Sequence, residues 1–145
     1  MEGPRQYPLS MSPPELRAFL QSARTVAVLG AHPNPLKPAH YVPSYLKEKG
    51  YELLPVNPAY AGRVLWGRKV VGRLDELEKP VDILNIFRRS EALLGHLEEV
   101  LRLRPGLVWL QSGIENPAFA RRLEQAGIPV VQDRCLMVVH RQLLG

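Results

Sequence analysis

Short, uninterrupted apolar runs recur along this chain, each followed by a stretch of helical character and closed by glycine, proline or a polar turn. Thr25-Val26-Ala27-Val28-Leu29 ends at Gly30, and Glu52-Leu53-Leu54-Pro55-Val56 ends at Asn57-Pro58. Asp82 to Phe87, Leu107 to Leu110 and Pro129 to Gln132 continue the series. An apolar run without polar alternation is the mark of a strand whose sheet is covered on both faces. Strands of that kind are joined by crossover helices, so the expected fold is one doubly wound α/β domain with a mostly parallel sheet and helices on both faces. The expected domain covers residues 1–145, with a helix over about 13–23 and a core over about 25–140. Ligands of such sheets bind beyond the strand C-termini, where the winding reverses.

Composition narrows the classes that remain. With 145 residues and 46% apolar side chains, the chain can bury roughly two-thirds of its unfolded surface without a metal or disulfide staple. Its single cysteine excludes an internal disulfide and fits a reducing, cytoplasmic compartment. The apolar runs fall far short of the roughly 20 residues of a membrane span. Met1-Glu2-Gly3-Pro4-Arg5 lacks the basic-then-apolar order of a secretory signal. A formal charge of +5 suits a binder of anionic ligands, and without a run of like charge nucleic acid has no visible footprint.

Local signals set the expected helices. Ser12-Pro13-Pro14-Glu15 has the form of a capping box and opens a helix to about Ala23. Pro33, Pro35 and Pro38 hold off the next helix until about Ala39, and Tyr41 to Lys49, closed by Gly50, reads as helical. Lys69-Val70-Val71 reads as a short edge strand and Leu74 to Leu77 as one helical turn. Glu91 to Leu103, Pro117 to Ala126 and Leu136 to Leu143 read as helices.

If the first strand is central, the loop from Gly30 to Pro38 lies where the winding reverses and feeds a helix N-terminus. Unpaired N–H groups and the helix dipole favour an anion there, and Lys37 adds a cation. A tight turn with a solvated lysine accounts for the same residues. The dinucleotide fingerprint is not met, since only Gly30 of its three glycines is present and no acid ends the second strand. A phosphate-binding P-loop is absent as well. After the third strand, Phe87 can face a planar base while Arg88 and Arg89 meet phosphate oxygens. Paired arginines at a helix start are often only solvated, yet they oppose the local dipole. Cys135, with Arg134 beside it and His140 five residues on, has the elements of an activated thiol or else is a small buried hydrophobe. His32, His40, His96 and His140 have no metal-ligand spacing, and Glu115 and Asp133 read as isolated capping or surface acids.

Taken together, Val28-Leu29-Gly30-Ala31, Lys37-Pro38, Gly50-Tyr51, Pro55-Val56-Asn57-Pro58, Phe87-Arg88-Arg89-Ser90, Trp109-Leu110-Gln111-Ser112-Gly113-Ile114 and Ala126-Gly127 through Asp133-Arg134-Cys135 resemble the stand-alone CoA-binding domain proteins. Those proteins are similar to the N-terminal domain of the succinyl-CoA synthetase α subunit. The resemblance runs from about Thr25 to His140 and implies a Rossmann-like sheet that binds coenzyme A, with the diphosphate against the first loop. It implies that Gly30, Ala31, His32, Asn34, Pro35 and Lys37 contact the phosphates and neighbouring groups. It also implies that Asn57 and Pro58 border the nucleotide and that Phe87, Arg88 and Arg89 form the opposite wall. The chain departs from the pattern where the family tends to have Ser for His32, Arg for Lys37 and Ser-Tyr for Ala39-His40. Met137 and Val139 likewise replace a Lys and a Glu.

The phosphohistidine and ATP-binding parts of the synthetases have no counterpart in these residues. A non-catalytic protein that binds CoA or an acyl-CoA is therefore the first expectation. An enzyme or enzyme component acting on CoA thioesters is the second, and an NAD(P)-binding protein the third. The apolar run Leu136 to Val139 permits a homodimer or a protein partner without requiring one.

Overall fold

The computed structural model describes residues 11–145; the polar segment to Ser10 and the reading of its first residues as no secretory signal lie outside the described residues. Five strands, β1 (Thr25–Leu29), β2 (Glu52–Val56), β5 (Ile83–Ile86), β6 (Leu107–Leu110) and β7 (Val130–Val131), form one sheet in the order β2-β1-β5-β6-β7. Every pairing in it is parallel. The chain runs outward from β1 to β2, then returns to the far side of β1 and continues outward through β5, β6 and β7. The winding therefore reverses between β1 and β5, which places the first loop at the crevice expected for this topology.

Period-two alternation divides the apolar residues between the two faces. Val26, Val28, Leu53, Ile83, Leu107, Trp109 and Val131 share a core with α1 (Pro13–Ser22), α2 (Pro38–Glu48) and α5 (Leu136–Leu144). Ala27, Leu29, Leu54, Leu84, Ile86, Val108 and Leu110 share the opposite core with α3 (Leu97–Leu103) and α4 (Pro117–Gln125). Both faces are covered, which is why the strands carry continuous apolar runs. Pro55 is tolerated because β2 is the sheet's edge, where no further main-sheet strand needs its missing N–H.

The capping box forms: the Glu15 amide donates to Ser12 Oγ and the Ser12 amide to Glu15 Oε1 at 2.9 Å. Three boundaries differ from the sequence expectation. Helix α2 begins at Pro38, because a proline ring is already set for the first helical position. Lys69 to Val71 is not an edge strand. Instead β3 (Val64–Leu65) and β4 (Arg68–Lys69) form a separate antiparallel hairpin, and only Val71 bridges to Val56 of the main sheet. Its turn needs positive φ at both Trp66 (52°) and Gly67 (77°), and the tryptophan is held there by donating to Ser44 Oγ at 3.0 Å. Finally, Ser90–His96 is a 3-10 segment, and the α-helix starts only at Leu97, after Gly95 has weakened the preceding turn.

Candidate functional site

At the C-terminal end of β1 the chain must turn sharply beneath the end of β5. Gly30 does so at φ +95°, and a Cβ there would lie 2.9 Å from the Phe87 carbonyl oxygen, so neither the conformation nor the space admits a side chain. The turn is anchored on both sides, since the Gly30 amide donates to Val56 O at 2.8 Å and the Phe87 amide to Leu29 O at 2.9 Å.

The loop beyond is tied down by residues far apart in sequence. Pro43, inside α2, has no N–H for the carbonyl of Ala39, and the His32 amide takes that carbonyl instead at 3.4 Å. His40 Nδ1 bonds the His32 carbonyl at 2.8 Å. The His32 ring accepts the Asn34 amide at Nδ1, 3.0 Å, which fixes the neutral tautomer with hydrogen on Nε2. Nε2 then donates to the Tyr60 hydroxyl at 3.1 Å. Asn34 in turn accepts the Leu36 amide at Oδ1, 3.0 Å, and the Lys37 amide at its carbonyl. The result is a preformed loop whose one unengaged charged group is Lys37, the exposed N-cap of α2, with no side-chain capping bond.

Asn57 belongs to the scaffold more than to a binding surface. Its Nδ2 donates to the Ala31 carbonyl at 2.9 Å and its Oδ1 accepts the Ala59 amide at 2.9 Å, joining the ends of β1 and β2. Beside it opens a cavity of about 370 Å³ lined by Leu29, Gly30, Asn57, Pro58, Gly72, Arg73, Arg88, Gly95, His96 and Glu99. That volume is within the range of small-ligand sites.

Of the sequence-predicted residues, Gly30, Asn57, Pro58 and Arg88 line this cavity. Ala31, His32, Asn34, Pro35 and Lys37 form the loop leading to α2, and Ala31 is buried. Phe87 is half-buried against the core on the α2 and α5 side, away from the cavity lining. Arg89 is exposed and caps the 3-10 segment without a side-chain bond. Neither Arg88 nor Arg89 makes a side-chain hydrogen bond or ion pair among the described residues.

Arg73, His96 and Glu99 were missed. His96 Nδ1 lies 3.5 Å from Glu99 Oε1 without a hydrogen bond. Their i,i+3 spacing was the available signal, but it marks a site only once β2 and β5 are known to flank β1. Arg73 is held against Asp75 at 3.2 Å. Asp75 also accepts from Arg102, and that bond, ahead of the Arg73 contacts, lowers its pKa from the usual carboxylate value.

The thiol arrangement does not assemble. Cys135 is the half-buried N-cap of α5 and packs among apolar neighbours, whereas His140 faces the other end of the sheet with its Nδ1 3.0 Å from the Tyr45 hydroxyl. Asp133 accepts the Gly113 amide at 2.6 Å, a loop-closing role. Among the described residues no cluster of three or more His, Cys, Asp or Glu could hold a metal, and no helix is long and apolar enough to cross a membrane.

A five-stranded parallel sheet in this order, with the winding reversing between β1 and β5, defines a Rossmann-like α/β domain. The CoA binding domain family model matches residues 24–141, and the chain belongs to that family. It is 36% identical over 126 residues to the uncharacterized protein YneT of Bacillus subtilis (strain 168), covering 87% of this chain and 92% of that one. The structure of cell-free ID.343 from Thermus thermophilus superposes with a TM-score of 0.90 at 60% identity, over 92% of this chain and 99% of that one. An acetyl-coenzyme A synthetase of Ca. Korarchaeum cryptofilum shares the fold at TM-score 0.62 and 22% identity, over 73% of this chain and 25% of that one.

Proposed function

We propose that this protein binds coenzyme A or an acyl-CoA at the β1–β5 crevice as a non-catalytic binding protein. One observation carries the reading: Arg88 lines the cavity with Gly30, Arg89 follows it and Lys37 ends the loop that Gly30 opens, all three exposed and without ion-pair partners among the described residues. Lys37 and Arg89 stand at the N-caps of helical segments, where cations are electrostatically disfavoured, and a bound polyanion gives them a partner. CoA, with a diphosphate and a 3′-phosphate, is an anion of that kind, and family membership supports the choice. In this reading Gly30, Ala31, His32, Asn34, Pro35 and Lys37 shape the diphosphate side, Asn57, Pro58, Arg88 and Arg89 frame the nucleotide, and Phe87 backs that wall from the core. One domain over residues 1–145 carries this binding, alone or with a second copy or a protein partner, in the reducing cytoplasm that suits a single thiol.

The NAD reading is disfavoured at Asn57. That position, at the end of β2, would need a carboxylate for the ribose hydroxyls, and its amide is already committed to Ala31 and Ala59. The test is calorimetric titration with CoA, dephospho-CoA, ADP and NAD, repeated on Lys37→Ala. Saturable CoA binding, weakened by loss of the 3′-phosphate or of Lys37, is the expected result. CoA binding that is absent, or no tighter than NAD binding, overturns it.

A further inference from the structure

At the opposite end of the sheet lies a cavity of about 580 Å³, walled by the end of α1, the turn from Lys49 to Tyr51 and the last turns of α5. Arg17, Arg24 and Lys49 line it, and no acidic side chain does. His140 also lines it while being only 5% exposed. The histidine's Nδ1 is committed to the Tyr45 hydroxyl at 3.0 Å, and its ring is wedged edge-on between Tyr45 and Tyr51. Its Nε2 makes no hydrogen bond among the described residues. When Tyr45 donates to Nδ1, Nε2 carries the hydrogen, and a buried imidazole presents one donor to the cavity. Nε2 is not among the buried unpartnered atoms and keeps contact with the cavity's solvent, so a ligand oxygen can accept this hydrogen bond in place of water.

Helix ends alone do not account for the charge. The C-termini of α1, α2 and α5 face this region, each equivalent to about half a negative charge, so three full cations leave a surplus of about one and a half positive charges. One α5 carbonyl, that of Leu143, already accepts from Arg17 Nε at 2.9 Å, which fixes that guanidinium at the rim. Lys49 and Arg141 flank the Tyr45 ring at 5.5 and 5.3 Å, so the His140–Tyr45 pair sits in a positive field with no acidic side chain facing it across the cavity.

We propose that this cavity is a second small-ligand site, selective for a phosphoryl group, either free or as the terminal phosphate of a larger metabolite. Arg17, Arg24 and Lys49 supply the charge, and His140 Nε2 supplies a directed donor. The site is independent of the crevice, since its lining shares no residue with the cavity beside Gly30.

The experiment is ring-nitrogen NMR of the histidines in the full chain, with His140 assigned by comparison with His140→Gln. Inorganic phosphate, pyrophosphate and glycerol 3-phosphate are each titrated at constant ionic strength. The expected result is a saturable shift of the His140 Nε2 resonance that sodium chloride does not produce. Binding weakens at least tenfold in Arg24→Gln/Lys49→Gln, and severalfold in Arg24→Gln alone, while CoA titration is unchanged. Tighter binding of glycerol 3-phosphate than of inorganic phosphate identifies a phosphomonoester as the ligand, and the reverse identifies the free ion. A His140 resonance that does not saturate with any of the three, or a shift that survives intact in the folded double variant, overturns the proposal.

Discussion

The two ends of the parallel sheet use the same kinds of residue in opposite electrostatic senses. At the N-terminal end the strand junction is closed: Asp82 accepts the amides of Arg24 and Thr25 at 2.7 and 3.1 Å, and Thr25 Oγ1 accepts the Asp82 amide at 2.9 Å. Lys49 there stands at a helix C-terminus, where a cation stabilises the dipole. At the C-terminal end Lys37 and Arg89 stand at N-caps, where a cation opposes it. Folding thus explains part of the basic charge at the first end, and at the second it pairs Arg73 with Asp75 but leaves Lys37 and Arg89 unexplained. The difference teaches where to look for a ligand: charge that costs stability without making a contact is held for something outside the chain.

The largest effect is expected at Gly30. Alanine there must hold φ near +95° and press its Cβ to within 2.9 Å of the Phe87 carbonyl oxygen. Strain of that kind costs about 1–3 kcal/mol, and displacement of the β5 end adds to it, so Gly30→Ala is expected to lose about 3 kcal/mol in urea denaturation. CoA affinity falls with it, because the turn positions the crevice. A variant as stable as the parent would show that the β1–β5 junction is looser than described.

The N-terminal end is sharpened by alkali. Burial, and to a lesser extent Tyr45, push the Tyr51 hydroxyl up from 10.0 to about 12, and that hydroxyl donates to the Leu20 carbonyl. Because the folded state holds this proton more tightly, its contribution is complete below pH 10 and is lost as pH rises through 12. A shift of this size corresponds to about 3 kcal/mol. Tyr51→Phe is expected to remove that part of the alkaline slope and leave CoA binding unchanged. A slope equal in the variant and the parent assigns it to another group.

How much of this was legible in the sequence follows the range of the interactions. The Ser12 capping box spans three residues and was read as it forms. Gly30 was located because a glycine at a strand end is a local signal. The role of Asn57 was not legible, because its amide answers the carbonyl of Ala31, 26 residues away. Arg73, His96 and Glu99 were missed for the same reason: strand order, and nothing near them in sequence, brings them to one cavity. The hairpin from β3 to β4 escaped because it rests on a tryptophan at φ 52°, a conformation that residue rarely adopts and that Ser44 helps to hold.

The dipole argument predicts opposite signs for two readouts at the C-terminal end. Lys37→Ala and Arg88→Ala are each expected to weaken CoA binding about tenfold, equivalent to about 1.4 kcal/mol, with the loss shrinking as salt is raised. Lys37→Ala is at the same time expected to stabilise the free protein by a few tenths of a kcal/mol, since it removes a cation from the start of α2. Lys37→Glu should extend both trends. Thermal denaturation alongside calorimetry checks this, and a Lys37 variant that loses both stability and affinity would mean the lysine is structural.

The smallest effect concerns the acid side of the other end and tests whether its cations act on a buried group. Burial, and then the charge of Lys49, lower the His140 pKa from 6.5. The unfolded chain therefore takes up this proton at higher pH than the folded one does. His140 contributes fully above pH 6.5, and its contribution declines as pH falls through the window below that value, the sign opposite to that of a histidine paired with an acid. The difference in stability between the parent and His140→Gln, measured in urea from pH 7.5 to 5, is expected to shrink as pH falls. Lys49→Gln flattens the parent's slope by removing the second cause, and saturating phosphate flattens it further by neutralising the field that opposes protonation. A pH slope unchanged in His140→Gln would show that the imidazole is not coupled to folding, and that this end of the sheet holds its charges only as caps on its helices.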